Sequence, residues 1–237
     1  MNLSTDCQSP VIVALDFNDI NTAKSLVSQL KPNQCRLKVG KEMFTLLGPE
    51  WVKYLVGEGF DVFLDLKFHD IPNTVNKAVA AAAKLGVWMV NVHASGGGDM
   101  IKAAKEACLD ADKSPLLTAV TILTSMDERQ FVQVYSNEIS IKEQVQKLAL
   151  LAQNSGADGV VCSAKEAVML RKIVNKEFQL VTPGIRPAGA SLDDQKRVMT
   201  PANAISAGVD YLVIGRPITQ SENPSLSLMQ INDSLKG

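Results

Sequence analysis

The strongest constraint on the fold is a repeat of pattern rather than of residues. Eight short β-rich runs alternate with helix-like stretches along the whole chain. The runs lie at 11–16 (VIVALD), 35–40 (CRLKVG), 61–67 (DVFLDLK), 88–94 (WMVNVHA), 116–123 (LLTAVTIL), 159–164 (GVVCSA), 179–183 (QLVTP) and 211–215 (YLVIG). Between them, 73–85 is an Ala-rich helix candidate, and 141–154 sets Val145, Leu148 and Ala152 at helical spacing, with Leu151 widening the stripe. The seventh helix candidate, 201–207, is short, and the eighth follows Pro224. Dividing 237 residues by eight gives about 30 per unit, the size of a βα repeat with short loops. No Pro/Gly/Ser-rich linker or charge run interrupts the series, so one domain is expected: an N-terminal tail at 1–10 and a (β/α)8 TIM barrel over 11–237. A doubly wound open sheet has the same alternation, because strand count does not show closure.

Composition narrows the function classes. Lys plus Arg is 24 against 25 Asp plus Glu, a net charge of −1, which argues against a nucleic-acid binder and against a polybasic membrane-surface protein. Aromatics are only 5%, so Val, Leu, Ile and Ala must fill the core. Cys7, Cys35, Cys108 and Cys162 form no C-x-x-C pair and read as reduced, packed thiols. The polar start, MNLSTDCQSP, lacks the plan of a signal peptide, and no run approaches the ~18 apolar residues of a membrane span. A cytoplasmic protein is the expectation.

Catalytic groups of a barrel belong at the C-terminal ends of its strands. Asp16 ends the first run, Lys38 lies near the end of the second, and Asp65 and Lys67 close the third. Strand side chains alternate, so Phe63, Asp65 and Lys67 share one face, as do Arg36, Lys38 and Gly40. Closure then brings Lys38, Asp65 and Lys67 to one mouth, where alternating signs offset the cost of burying charge. Asp70 has two readings, a member of that array or the N-cap of a helix starting near Pro72. Lys38 likewise has an ordinary structural reading as the partner of a nearby acid. At the other side, Gly215-Arg216 follows the eighth run and Pro183-Gly184-Ile185-Arg186-Pro187 the seventh, the two loops where barrels commonly bind phosphate. Gly96-Gly97-Gly98 reads as a loop rather than a phosphate cradle, and His93 as a packed histidine near the fourth strand end.

The segment FLDLKFHDIPNT, with LKVG upstream and TPGIRP and VIGRPI downstream, resembles the bacterial type of orotidine 5′-phosphate decarboxylase from residue 11 to about 220. Its D-x-K-x-x-D core alone is shared with related sugar-phosphate decarboxylases. The resemblance implies conversion of orotidine 5′-monophosphate to UMP and carbon dioxide in pyrimidine biosynthesis, with no metal or organic cofactor. It makes Lys67 the proton donor, sets Asp65 beside the substrate carboxylate, and gives Lys38 the task of organising the charges. It places Asp70 and Thr74, with Ile71 between them, in a neighbouring subunit's active site, so the expected unit is a homodimer with shared sites. It further implies substrate contacts at Asp16 (ribose hydroxyl), Thr124 (pyrimidine) and Gly215 and Arg216 (phosphate), and ligand contacts at Arg186 and Gln195 in the long seventh loop, where the small residues at 188–191 are those expected of a mobile lid. Two rivals remain at this stage: a magnesium-dependent decarboxylase of an open-chain sugar phosphate, and a non-catalytic nucleotide-binding barrel. The clustered charges argue against the second.

Overall fold

In the computed structural model all eight runs contain strands, each paired in parallel with its neighbour in chain order. The structure describes residues 7–135, 138–187 and 199–236. The strands are β1 (Val11–Leu15), β2 (Arg36–Gly40), β3 (Val62–Phe68), β4 (Met89–His93), β5 (Leu116–Val120), β6 (Gly159–Val161), β7 (Gln179–Thr182) and β8 (Tyr211–Ile214). Pairing of β1 with β8 at Val11↔Leu212, Ile12↔Val213 and Val13↔Ile214 closes the sheet, which excludes the open alternative. The helices are α1 (Ile20–Val27), α2 (Lys41–Gly57), α3 (Pro72–Ala83), α4 (Gly98–Leu109), α5 (Glu128–Val134), α6 (Ile141–Asn154), α7 (Ala167–Leu170), α8 (Pro201–Ser206), α9 (Arg216–Thr219) and α10 (Pro224–Asp233).

The alternation of strand side chains divides the apolar residues into two sets. Ile12, Ala14, Phe63, Met89, Val181 and Val213 form a small cluster inside the barrel. The larger cluster, including Val13, Leu37, Leu64, Val90 and Ile214, packs between the sheet and the helices. At the N-terminal ends of the strands Arg36 closes the barrel. Its guanidinium donates to Ser9 O (2.6 Å) and Cys7 O (2.7 Å) and lies over the rings of Trp88 and Tyr211 at 4.5 and 5.2 Å. Its Nε is 3.3 Å from Asp61 Oδ2, an ion pair without hydrogen-bond alignment.

Several elements differ from the sequence reading. The fifth and sixth strands stop at Val120 and Val161, short of the apolar runs that contain them. Ile122, Cys162 and Ala164 beyond those ends are buried all the same, so apolarity there marks burial and not pairing. A second helix, α5, precedes α6, and the one-turn α9 begins directly after β8. Gly96-Gly97-Gly98 is no open loop. Ala94–Gly96 is a 3₁₀ turn that leads into α4, and Gly97 takes φ 89° at the junction. All four cysteines are buried free thiols. Burial raises the pKa of each, for Cys108 to about 12.

Candidate active site

The charges of the first three strand ends meet at the C-terminal mouth as an alternating chain. Register puts Lys38 beside Ala14 and Phe63, and Gly40 beside Asp65. From there Lys38 Nζ reaches Asp16 Oδ1 at 3.1 Å and Asp65 Oδ2 at 3.5 Å, while Lys67 Nζ lies 2.5 Å from Asp65 Oδ1. Lys38, almost wholly buried, thus has a carboxylate on each side. Gly40 leaves room for this ammonium, since a Cβ there would lie 3.2 Å from Lys38 Nζ. Burial pushes the Asp65 carboxyl pKa up, but the charges of Lys38 and Lys67 and the hydrogen bonds from Lys67 and Asn91 outweigh it, and the net direction is down. Asp65 is therefore ionised at neutral pH.

Two features of this array were not legible beforehand. Lys67 adopts φ 53°, the one left-handed non-glycine residue among those described. Asn91, fully buried in β4, accepts a hydrogen bond from Lys67 N and donates one to Asp65 Oδ1, each 2.7 Å long. An amide between two valines, in WMVNVHA, is the only mark the sequence carries of it.

The array forms one wall of a cavity of about 520 Å³. Across it stand Thr124 after β5, Gly184 and Arg186 after β7, and Gly215 and Arg216 after β8. Arg186 is buried and donates from Nη1 to Ile185 O at 3.0 Å. Gly184 takes φ 78°, which a side chain would strain. Gly215 is the N-cap of α9, so Arg216 leaves the barrel on a helical first turn. Thr219 and Gln220 also line the cavity, which the sequence reading did not anticipate. A wall of alternating charge and an arginine-bearing wall thus face a space of ligand size.

Other expected positions lie elsewhere. Asp70, Ile71 and Thr74 are exposed and do not line this cavity, with Ile71 at 65% exposure. Asp70 is not the N-cap of α3; that position is Ile71, whose N–H donates to Asp70 Oδ1 at 2.7 Å. Gln195 and the 188–191 segment lie outside the described residues. His93 ends β4 with its ring 5.4 Å from that of His69. Burial, His69 and Lys67 lower its pKa to about 4, so it is neutral at pH 7. Among the described residues no helix is long and apolar enough to cross a membrane.

The chain is similar to known proteins at three levels. The family model described as orotidine 5′-phosphate decarboxylase / HUMPS family matches residues 9–231. The orotidine 5′-phosphate decarboxylase of Aliivibrio fischeri strain MJ11 is 62% identical over 227 residues, covering 95% of this chain and 96% of the relative. That of Escherichia coli O9:H4 is 58% identical over 229 residues, covering 96% and 93%. Among solved structures, the orotidine 5′-phosphate decarboxylase of Lactobacillus acidophilus superposes with a TM-score of 0.87 at 38% identity, covering 97% of this chain and all (100%) of that one. The enzyme of the same name from Pyrococcus horikoshii, at 22% identity and a TM-score of 0.77, shares the fold.

Proposed function

The chain belongs to the orotidine 5′-phosphate decarboxylase / HUMPS family, and from that membership we propose that it decarboxylates orotidine 5′-monophosphate to UMP in pyrimidine biosynthesis. The observation that carries the proposal is the Asp16–Lys38–Asp65–Lys67 chain of charges facing Arg216 across one cavity. Heterolysis of the bond between the ring carbon and the carboxylate releases CO₂ and leaves the electron pair on carbon. An ammonium held beside that carbon stabilises the developing charge before it transfers a proton. Lys67 takes this role. Asp65, ionised and fixed by two lysines, holds the Lys67 ammonium in place and stands beside the departing carboxylate. Because these dipoles and charges are set before substrate arrives, little reorganisation accompanies the reaction.

Arg216 and Arg186 take the phosphate, with Gly215 bringing the backbone close, and Asp16 accepts from the ribose. Thr124 meets the pyrimidine, and Gln195 is a further ligand contact. Asp70, Ile71 and Thr74 serve the cavity of a second copy, a reading supported by the exposure of a large apolar side chain at Ile71 beside the mouth loop. The working unit is then a homodimer.

Purified protein is expected to deplete orotidine monophosphate absorbance and form UMP at a rate unchanged by EDTA. The Lys67→Ala variant is expected to fold normally and lose about 10⁴-fold or more in kcat. Near-normal kcat in that variant would remove Lys67 from the role. Activity lost to EDTA, with no UMP formed, favours the magnesium-dependent sugar-phosphate reading instead.

A further inference from the structure

The third and fourth strands do not run in simple register. Leu64 pairs with Val90 and Phe68 with Val92, so Asp65, Leu66 and Lys67 together face the single residue Asn91. This bulge sits at the reacting charges, and such irregularities re-aim side chains. Lys67 lies within it at φ 53°, a conformation that non-glycine residues hold only when their surroundings impose it. The imposing group is Asn91. Its Oδ1 accepts from the displaced Lys67 N–H, and its Nδ2 donates to Asp65 Oδ1, the oxygen that also meets Lys67 Nζ. One planar amide thus ties down the backbone of one charged residue and the carboxylate of the other. Thr118, its register partner on β5, donates its hydroxyl to Val90 O at 3.4 Å instead.

We propose that Asn91 is a positioning residue that holds Lys67 and Asp65 in the geometry required for proton delivery, an inference that rests on reading this cavity as a decarboxylase site. Without the amide, the Lys67 N–H loses its acceptor and Asp65 Oδ1 one of its donors, so the Lys67 backbone leaves its left-handed φ and Nζ shifts from its place against Asp65. Asn91 does not line the cavity, so the substrate-holding groups beyond β5 stay in place. The loss therefore falls on turnover and not on affinity.

Two variants test this, Asn91→Ala and the isosteric Asn91→Asp, which keeps an acceptor for the Lys67 N–H but sets a second carboxylate against Asp65. Both are expected to lower kcat about 10²-fold while KM for orotidine monophosphate and Kd for UMP stay within about threefold. A crystal structure of Asn91→Ala is expected to show Lys67 at negative φ. The proposal is overturned by folded Asn91→Ala with kcat near wild type, by a loss of UMP affinity as large as the loss of kcat, or by Lys67 keeping its left-handed φ. Should Asn91→Ala not fold, kcat and UMP affinity of Asn91→Asp decide by the same criteria. Failure of the wild type to release UMP would count against the assigned reaction, whereas the Lys67 conformation judges Asn91 separately.

Discussion

Asp65 shows how a single buried residue holds competing charges in balance. Desolvation alone would raise the pKa of its carboxyl; two ammonium groups and the Asn91 amide outweigh that and leave it ionised. Replacing it by Asn leaves Lys67 without its carboxylate and Lys38 with only Asp16. Asp65→Asn is expected to cost about 3 kcal/mol of stability at neutral pH, read by urea unfolding. The sign with pH follows from the direction of the shift. A folded pKa below the unfolded value of about 3.9 gives stability that is complete above that value and is lost as pH falls through the folded one. The gap between wild type and variant should therefore narrow on acidification below the ordinary aspartate range; a gap that widens there contradicts the assignment. At this scale the charged members were legible, because Lys38, Asp65 and Lys67 interrupt apolar runs. Asn91 was not, since a neutral amide carries no such contrast until its partners are known.

Among the elements, alanine content at 73–85 and helical spacing at 141–154 correspond to α3 at Pro72–Ala83 and α6 at Ile141–Asn154. Strand alternation failed within β3, where the regular pattern through Lys67 gives way to the bulge against β4. That irregularity is a property of two strands together and leaves no mark in either one. The sheet has a second tight point at Gly159, where a Cβ would stand 2.3 Å from the carbonyl oxygen of Gln179 on β7. A backbone oxygen cannot swing aside, so Gly159→Ala must force β6 and β7 apart. We expect a loss of about 3 kcal/mol, seen as a lower urea midpoint at unchanged slope. An unshifted midpoint would show that the strands give way at little cost.

For the whole molecule, the barrel separates stability from chemistry by its two ends. Arg36, with Asp61, Trp88, Tyr211 and the carbonyls of Cys7 and Ser9, closes the end away from the cavity. Arg36→Ala is expected to destabilise by about 3–5 kcal/mol, while kcat of the folded protein stays within about twofold of wild type. A fall in kcat without a fall in melting temperature would show that the ends are coupled. The sequence by itself determined the number and order of the βα units, and it placed Asp16, Lys38, Asp65 and Lys67 at strand ends, with Arg186 and Arg216 in the segments that follow the seventh and eighth strands. These follow from local periodicity and from the cost of charge in apolar runs, which any single segment carries. Only the tertiary structure decided closure, the left-handed turn at Lys67 and the part played by Asn91. Each depends on which backbone groups find partners across strands, and that is settled only when distant segments meet.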